Sequence, residues 1–323
     1  MLLIKKYNKK LKKQWDLFVE KSFNGTLFQT QQFLSYHQKK KIQDHSLIFY
    51  SNQKIVAVFP AAEIKNKREI HSHPGASYGG IIIDNRLNFN LIEEIIVQLI
   101  KYFKKKQFNK IVLINSPYIY CANQNAILDY AIMWNNFNVS ETYISHATKL
   151  NQSPLKLLQT RKQRYIKQII KNKLFSCKQS VSYTAFYKLL KKSKKKYNTI
   201  PTHTLKELLL LQKLFPQKII LLLFYKNKEI AGGALLFIAN QKTGLVFYNT
   251  INEKYRKTQL AVFQLYSCMN FCINNNLQYI DFGVSHLPEG TNPLAPKKTL
   301  IKFKEHFGSM GIIRTVYEKK LYD

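Results

Sequence analysis

Phe49-Tyr50-Ser51-Asn52-Gln53-Lys54-Ile55-Val56 and Phe224-Tyr225-Lys226-Asn227-Lys228-Glu229-Ile230-Ala231 are the two stretches that decide the fold. Each reads as an apolar strand, a polar turn at asparagine and a second strand, continued by Ala57-Val58-Phe59 and by Ala234-Leu235-Leu236-Phe237. They stand 175 positions apart, from Phe49 to Phe224. A second correspondence follows in the same order. The helical spacing of Ile92, Ile95, Ile96, Leu99 and Phe103 leads through Gln107-Phe108-Asn109-Lys110 into the strand Ile111-Val112-Leu113-Ile114. A helix around Leu260 to Asn275 leads through Asn276-Leu277-Gln278 into Tyr279-Ile280-Asp281-Phe282, with Phe108 and Leu277 169 positions apart. Two near-equal offsets in one order indicate an α/β unit that occurs twice. Each copy reads as helix, hairpin, helix, strand, which gives a mixed sheet with helices on its faces.

The length of 323 residues suits two such units. The expected division is 1–152 and 153–323, near Asn151-Gln152-Ser153-Pro154, where Ser153 suits an N-cap and Pro154 a first helical position. A helix is expected from about Leu155 to Lys173. Leu158, Tyr165, Ile166, Ile169 and Ile170 mark its apolar side, and Arg161, Lys162, Arg164, Lys167 and Lys171 its basic side. No Gly/Ser-rich or Pro-rich linker separates the halves, and no sustained heptads mark a long coiled-coil arm.

Apolar residues make up 46% of the chain, which excludes global disorder. Lys and Arg number 51 against 18 Asp and Glu, a net charge of +33. A field of this sign attracts nucleic acid, anionic lipid or phosphorylated compounds. The charge is nearly all lysine and is scattered, so compositional drift over solvated faces explains it as well as an evolved polyanion surface does. Four cysteines are too few for a disulfide scaffold and form no zinc-type CxxC pair. No apolar run reaches membrane-spanning length, and lysines fill the place of a secretory apolar region, so a cytoplasmic protein is expected.

The standard catalytic signatures are missing: no GxSxG, no P-loop, no GxGxxG after a strand and no HExxH. His71 and His73 bracket Ser72 without a third metal ligand nearby, and Cys268 and Cys272 fall in step with Ala261 and Leu265 as a buried stripe. Three segments carry more. Ser77-Tyr78-Gly79-Gly80 precedes the strand Ile81-Ile82-Ile83, and its glycines allow close approach of a ligand or of the chain itself. Glu253-Lys254-Tyr255-Arg256-Lys257-Thr258 follows the strand end Tyr248-Asn249-Thr250 and opens a helix, whose N-terminal amides suit phosphate. Tyr279-Ile280-Asp281-Phe282-Gly283-Val284-Ser285 is a buried strand with one charged residue. A loop with Pro288, Gly290, Pro293 and Pro296 then leads to Leu300-Ile301-Lys302-Phe303-Lys304-Glu305-His306-Phe307-Gly308. There Phe303 and Phe307 share one helical side, and Lys304 is placed to polarise a carbonyl or clamp a phosphate.

In Ser77-Tyr78-Gly79-Gly80, Tyr279-Ile280-Asp281-Phe282-Gly283 and Phe303-Lys304-Glu305-His306-Phe307-Gly308, together with Leu27-Phe28-Gln29-Thr30-Gln31-Gln32-Phe33-Leu34 after the Trp15 helix, the chain resembles the Fem-type, peptidoglycan bridge-forming branch of the GNAT-related acyltransferases. The resemblance covers nearly the whole chain. It implies an α/β fold of two tandem GNAT-like domains, each a mixed β-sheet flanked by helices. It implies an acyltransferase that moves an acyl or aminoacyl group from acyl-CoA or aminoacyl-tRNA to an amino group of a cell-envelope precursor or sugar, with no metal. By the same resemblance Lys304 contacts phosphate and stabilises negative charge, and Arg256, Lys257 and Thr258 lie on the donor side. Gln31, Tyr78 and Gly79 lie on the acceptor side. Asp281 is a candidate base if its strand end faces the cleft. Expected partners are a phosphorylated or nucleotide-linked small-molecule acceptor and tRNA, with peripheral contact to anionic membrane. The sequence departs from the pattern twice: Arg256-Lys257-Thr258-Gln259-Leu260-Ala261 has no glycine where the GNAT phosphate loop carries one, and the coiled-coil arm of larger Fem enzymes is missing. The competing reading is a basic nucleic-acid-binding protein without catalysis, on the face of the Leu155–Lys173 helix. A third keeps the fold and acts in surface-polysaccharide or lipid modification.

Overall fold

The computed structural model describes residues 2–37, 42–196, 198–286 and 291–322. They form two compact α/β units, Met1–Tyr143 with Ile313–Asp323, and Ile144–Ile312. These bounds differ from 1–152 and 153–323. The change of unit falls inside the strand Asn138–Lys149, and the last residues of the strand Met310–Lys320 return to the first unit. The reason is pairing: Val316 to Lys320 run antiparallel to Ile114 to Lys110 of the strand Lys110–Ile114.

In the first unit, Leu2–Lys6, Leu47–Ser51, Lys54–Phe59 and Ile82–Ile83 form an antiparallel sheet in that order. Glu69–His71 lies parallel to Lys110–Ile114. The helix Phe89–Lys105 buries Ile92, Ile95, Ile96, Leu99 and Phe103, the stripe read from the sequence. In the second unit, Ser176–Ser180, Ile219–Lys226, Glu229–Ile238 and Thr243–Ile251 are antiparallel neighbours. Thr243–Ile251 then runs parallel to Tyr279–Val284. The helix Leu260–Asn274 makes the crossover between these parallel strands and packs its buried Leu260, Gln264, Cys268 and Cys272 row inward.

The duplication extends to irregularities that no packing argument demands of both copies. The hairpin Leu47–Ser51/Lys54–Phe59 shifts register between Phe49 and Tyr50, and the hairpin Ile219–Lys226/Glu229–Ile238 shifts between Phe224 and Tyr225. Both turn asparagines are left-handed, Asn52 at φ 48° and Asn227 at φ 54°. The helices Phe89–Lys105 and Leu260–Asn274 end in the same left-handed cap. Phe108 N donates to Phe103 O (3.1 Å) and Gln107 N to Lys104 O (2.9 Å). In the second copy Leu277 N donates to Cys272 O (2.9 Å) and Asn276 N to Ile273 O (2.9 Å). Gln107 and Asn276 stand at φ 60° and 58°.

One expected helix is broken. Pro154–Leu157 and Thr160–Lys171 are separate, with Leu158 and Gln159 extended between them. Gln159 N donates to His306 O (3.0 Å) and Gln163 Nε2 to Leu158 O (2.8 Å), so one tertiary and one local side-chain bond replace helical ones at the break. Ile170 is 53% exposed, whereas Leu158, Ile166 and Ile169 are buried. Among the described residues, no helix is long and apolar enough to cross a membrane.

Candidate functional site

The residues singled out in the second unit gather at two places. The first is the end of the strand Tyr279–Val284. Gly283 takes φ +73°, a left-handed turn that glycine adopts without strain. The turn brings the Gly283 and Val284 carbonyls onto the helix Lys298–Glu305, where Lys304 Nζ donates to Gly283 O (2.6 Å), Val284 O (2.9 Å) and Ser285 Oγ (2.9 Å). An ammonium has three N–H groups, and these three bonds use all of them. Lys304 is 5% exposed. Burial pushes its pKa down from 10.5 to about 8, against the upward pull of Asp281. Asp281 is fully buried; its Oδ1 accepts from Ser145 Oγ (2.7 Å) and Gly283 N (2.7 Å). Ser285 Oγ lies 3.4 Å from His146 Nδ1, and burial followed by the Lys304 charge lowers the His146 pKa.

The sequence expectation is a Lys304 that flanks Phe303 and Phe307 and polarises a carbonyl or clamps a phosphate. Lys304 is instead buried on its own chain's carbonyls, and both it and Asp281 act on neighbours of the strand end. Phe303 and Phe307 do share a side, with centroids 5.4 Å apart, and Phe307 meets Phe282 at 5.6 Å. Gly308 stands at φ +65°, and a Cβ there would meet Leu157 O at 2.6 Å. Pro288 and Gly290 of the preceding loop lie outside the described residues.

The second place is the start of the crossover helix. Arg256 to Gln259 form a turn before it, so the helix opens at Leu260 rather than at Glu253. Arg256 pairs with Glu253 (3.3 Å) and both are exposed; Lys257 is also exposed. Thr258 Oγ1 donates to Tyr255 O (2.6 Å). Gln259, at the position where the GNAT loop carries glycine, adopts φ +61°. The glycine is absent but the left-handed backbone is kept. The parallel strands beside this turn pair only through Thr243–Tyr279, Gly244–Ile280 and Leu245–Asp281. Past Leu245 and Asp281 they part, and because the crossover helix runs back along them, its N-terminus lies at the end where they have parted. The sequence reading did not single out Gln264 and Thr250. Gln264 Nε2 donates to Thr250 O (3.0 Å), while Gln264 Oε1 and Thr250 Oγ1 are buried with no hydrogen-bond partner. The signal was present: Gln264 is the one polar member of the i, i+4 row Leu260, Gln264, Cys268, Cys272.

In the first unit, Gln31 opens the short helix Gln31–Leu34, and its backbone N donates to Asp16 Oδ1 (2.6 Å). Its Nε2 is buried and unpartnered, and the residue lines a cavity of about 740 Å³ with Lys9, Lys12, Asp44 and His73. Tyr78 and Gly79 do not line that cavity. Tyr78 is buried against Phe28 and Tyr120, with the Arg314 guanidinium 5.3 Å from its ring centroid. Gly79 N donates to Ile114 O (2.8 Å) and Gly79 O accepts from Gln29 Nε2 (2.9 Å). A Cβ on Gly79 would stand 2.2 Å from Ser72 O, so the close approach this glycine permits is to its own chain. His71 pairs with Glu69 (2.8 Å), and Cys268 and Cys272 are buried.

The fold of the whole chain is shared with solved structures of low sequence identity. The chain is similar to FemX at 11% identity over 98% of this chain and 97% of that one, with a TM-score of 0.73. It is similar to L-PGS from Bacillus licheniformis at 10% identity over 96% and 92%, TM-score 0.59. It is similar to a tandem GNAT protein from the clavulanic acid biosynthesis pathway at 8% identity over 100% and 99%, TM-score 0.56. These likenesses bear out the two GNAT-like units and the Fem-type resemblance at the level of the fold. No protein-family model matches the chain, and no curated relative matches it.

Proposed function

We propose that the protein transfers an acyl or aminoacyl group from an activated donor to the amino group of a cell-envelope precursor or sugar. The observation that carries the reading is the parting of Thr243–Ile251 from Tyr279–Val284 past Leu245 and Asp281, with the left-handed Gln259 turn and the helix Leu260–Asn274 at the same end. Free amides at a helix start, with Arg256 and Lys257 beside them, suit a donor that carries phosphate. Acyl-CoA meets that demand through its pyrophosphate and aminoacyl-tRNA through its backbone.

The reaction asks little of the protein. The amine attacks the donor carbonyl as the free base, a tetrahedral oxyanion forms, and the thiol or ribose oxygen leaves. Holding the two reactants together can lower the barrier by roughly 7–11 kcal/mol. In this reading Lys304 and Asp281 are positioning residues. They fix the Gly283–Ser285 backbone, and the buried Lys304 charge raises the positive potential at the strand end, where solvent screens it little. The unpartnered Gln31 Nε2, with Lys9 and Lys12, suits a phosphorylated or nucleotide-linked acceptor in the first unit.

Native mass spectrometry against acetyl-CoA, longer acyl-CoAs, charged tRNA and nucleotide-linked sugars tests the reading. Saturable binding of one donor class, weakened by Arg256→Ala, and transfer to an amine are expected. Binding to any duplex with a steep salt dependence and no saturable donor would overturn it in favour of a nucleic-acid binder.

A further inference from the structure

We propose that a cavity of about 460 Å³ in the first unit binds a small organic ammonium ion, with the charged head on Asp129 and an apolar body against Phe23, Leu128 and Ile313. The inference does not rest on the transferase reading. Every residue lining this cavity belongs to the first unit, whereas Lys304 and Asp281 belong to the second.

Charge is the first argument. The chain carries 51 basic residues against 18 acidic ones, yet among the described residues that line the cavity there is one carboxylate and no lysine or arginine. Asp129 Oδ1 accepts from Asn115 Nδ2 (2.9 Å) and from Tyr317 OH (3.3 Å). Both partners are neutral, and they fix the carboxylate while leaving its charge unmatched. Its second oxygen, Oδ2, carries no hydrogen bond among the described residues. Burial raises the Asp129 pKa, and these two hydrogen bonds oppose the rise. A partly buried carboxylate without a cation is costly, and a cationic ligand would relieve that cost.

The nature of the occupant follows. An anion would meet the carboxylate unfavourably. A metal ion would need several donors, and among the described residues no group of three or more His, Cys, Asp or Glu is placed to hold one. An ammonium needs only acceptors: Oδ2 of Asp129 supplies a charged one, and the apolar part of an otherwise polar lining, Phe23, Leu128 and Ile313, suits a carbon body rather than a second charge.

Isothermal titration calorimetry with benzylammonium chloride tests the site, with benzyl alcohol as the uncharged control. Saturable one-to-one binding of the ammonium is expected, with the alcohol much weaker. Asp129→Asn keeps the shape and removes the charge, and should weaken binding about tenfold or more. Ala126→Trp, at an exposed position on the rim before the helix Ile127–Trp134, should block the cavity with Asp129 intact. No binding, equal binding of the alcohol, or an affinity unmoved by Ala126→Trp would each overturn the proposal. The last two decide it even if Asp129→Asn fails to fold.

Discussion

Replacing Lys304 by Met should change not only how stable the second unit is but how that stability depends on pH. The folded Lys304 holds its proton with a pKa of about 8, against 10.5 for an ordinary lysine. Between those values the unfolded chain binds more protons than the folded one, so stability rises with pH across the window. Below pH 8 the folded state carries the full cost of a buried ammonium; above 10.5 that cost is gone. From pH 7 to pH 9 the wild type should gain about 1.3 kcal/mol relative to Lys304→Met. The variant also leaves Gly283 O, Val284 O and Ser285 Oγ without their donor, at a cost of about 1–3 kcal/mol for each group left unsatisfied. That second term is independent of pH and cannot imitate the first. Cys177, Cys268 and Cys272, whose pKa values burial raises, titrate in both proteins and cancel in the difference. Urea unfolding followed by circular dichroism measures the effect, since Trp15 and Trp134 both lie in the first unit and would report on the wrong half. A wild-type minus variant difference that stays flat from pH 7 to pH 9 would show that Lys304 is not buried as an ammonium on the strand end.

Asp281→Asn keeps an acceptor for Gly283 N and Ser145 Oγ but removes the charge that raises the Lys304 pKa. The same pH step should therefore move to lower pH, and a step left at its wild-type position would refute the coupling. Gly79→Ala should destabilise the first unit by roughly 2–3 kcal/mol in tryptophan-monitored unfolding, because its Cβ would stand 2.2 Å from Ser72 O. Trp15→Phe removes the Nε1–H donor to Gln29 O (2.8 Å) at the root of the Gln-rich loop and should cost about 1–3 kcal/mol, seen as a lowered midpoint by circular dichroism.

Local signals were readable where one residue type has one physical use. The paired asparagines at 52 and 227 marked both hairpins because a tight two-stranded turn asks for left-handed backbone. The stripe Ile92, Ile95, Ile96, Leu99, Phe103 marked its helix because burial follows period 3.6. Phe303 and Phe307 were correctly placed on one side for the same reason. What failed depended on tertiary partners that periodicity does not encode. Leu158 looks helical, but the Gln159 bond to His306 and the Gln163 bond to Leu158 accompany a break in the helix there. Lys304 is one of 51 basic residues, and its burial follows from a left-handed Gly283 that aims two carbonyls at it. The missing glycine at Gln259 read as a departure, but conformation rather than identity makes the turn, and Gln259 adopts it. Gln264 is one helical turn before Cys268, and the stripe read from the sequence, Ala261, Leu265, Cys268 and Cys272, leaves it out.

The two copies of the unit also explain why the transferase reading assigns a donor to only one of them. In the second copy the strand before the crossover helix, Thr243–Ile251, runs on for six residues past its last pairing with Tyr279–Val284, and the transferase reading puts the donor there. In the first copy the corresponding strand is Ile82–Ile83, and its outer edge is already taken. Phe23 N donates to Ile83 O (2.8 Å), Asn24 Nδ2 to Ile81 O (2.8 Å) and Ile83 N to Asn24 Oδ1 (3.1 Å). A side-chain amide thus makes a two-sided contact with the backbone of this strand. Strand edges with unpaired groups invite a partner, and satisfying this one within the chain removes the invitation. The bulge and the helix cap recur in both copies, while the Asn24 contact belongs to the first copy. A polar cavity around Asp129 remains on the first unit, and its chemistry differs from that of a phosphate-bearing donor in the sign of the charge it would accept.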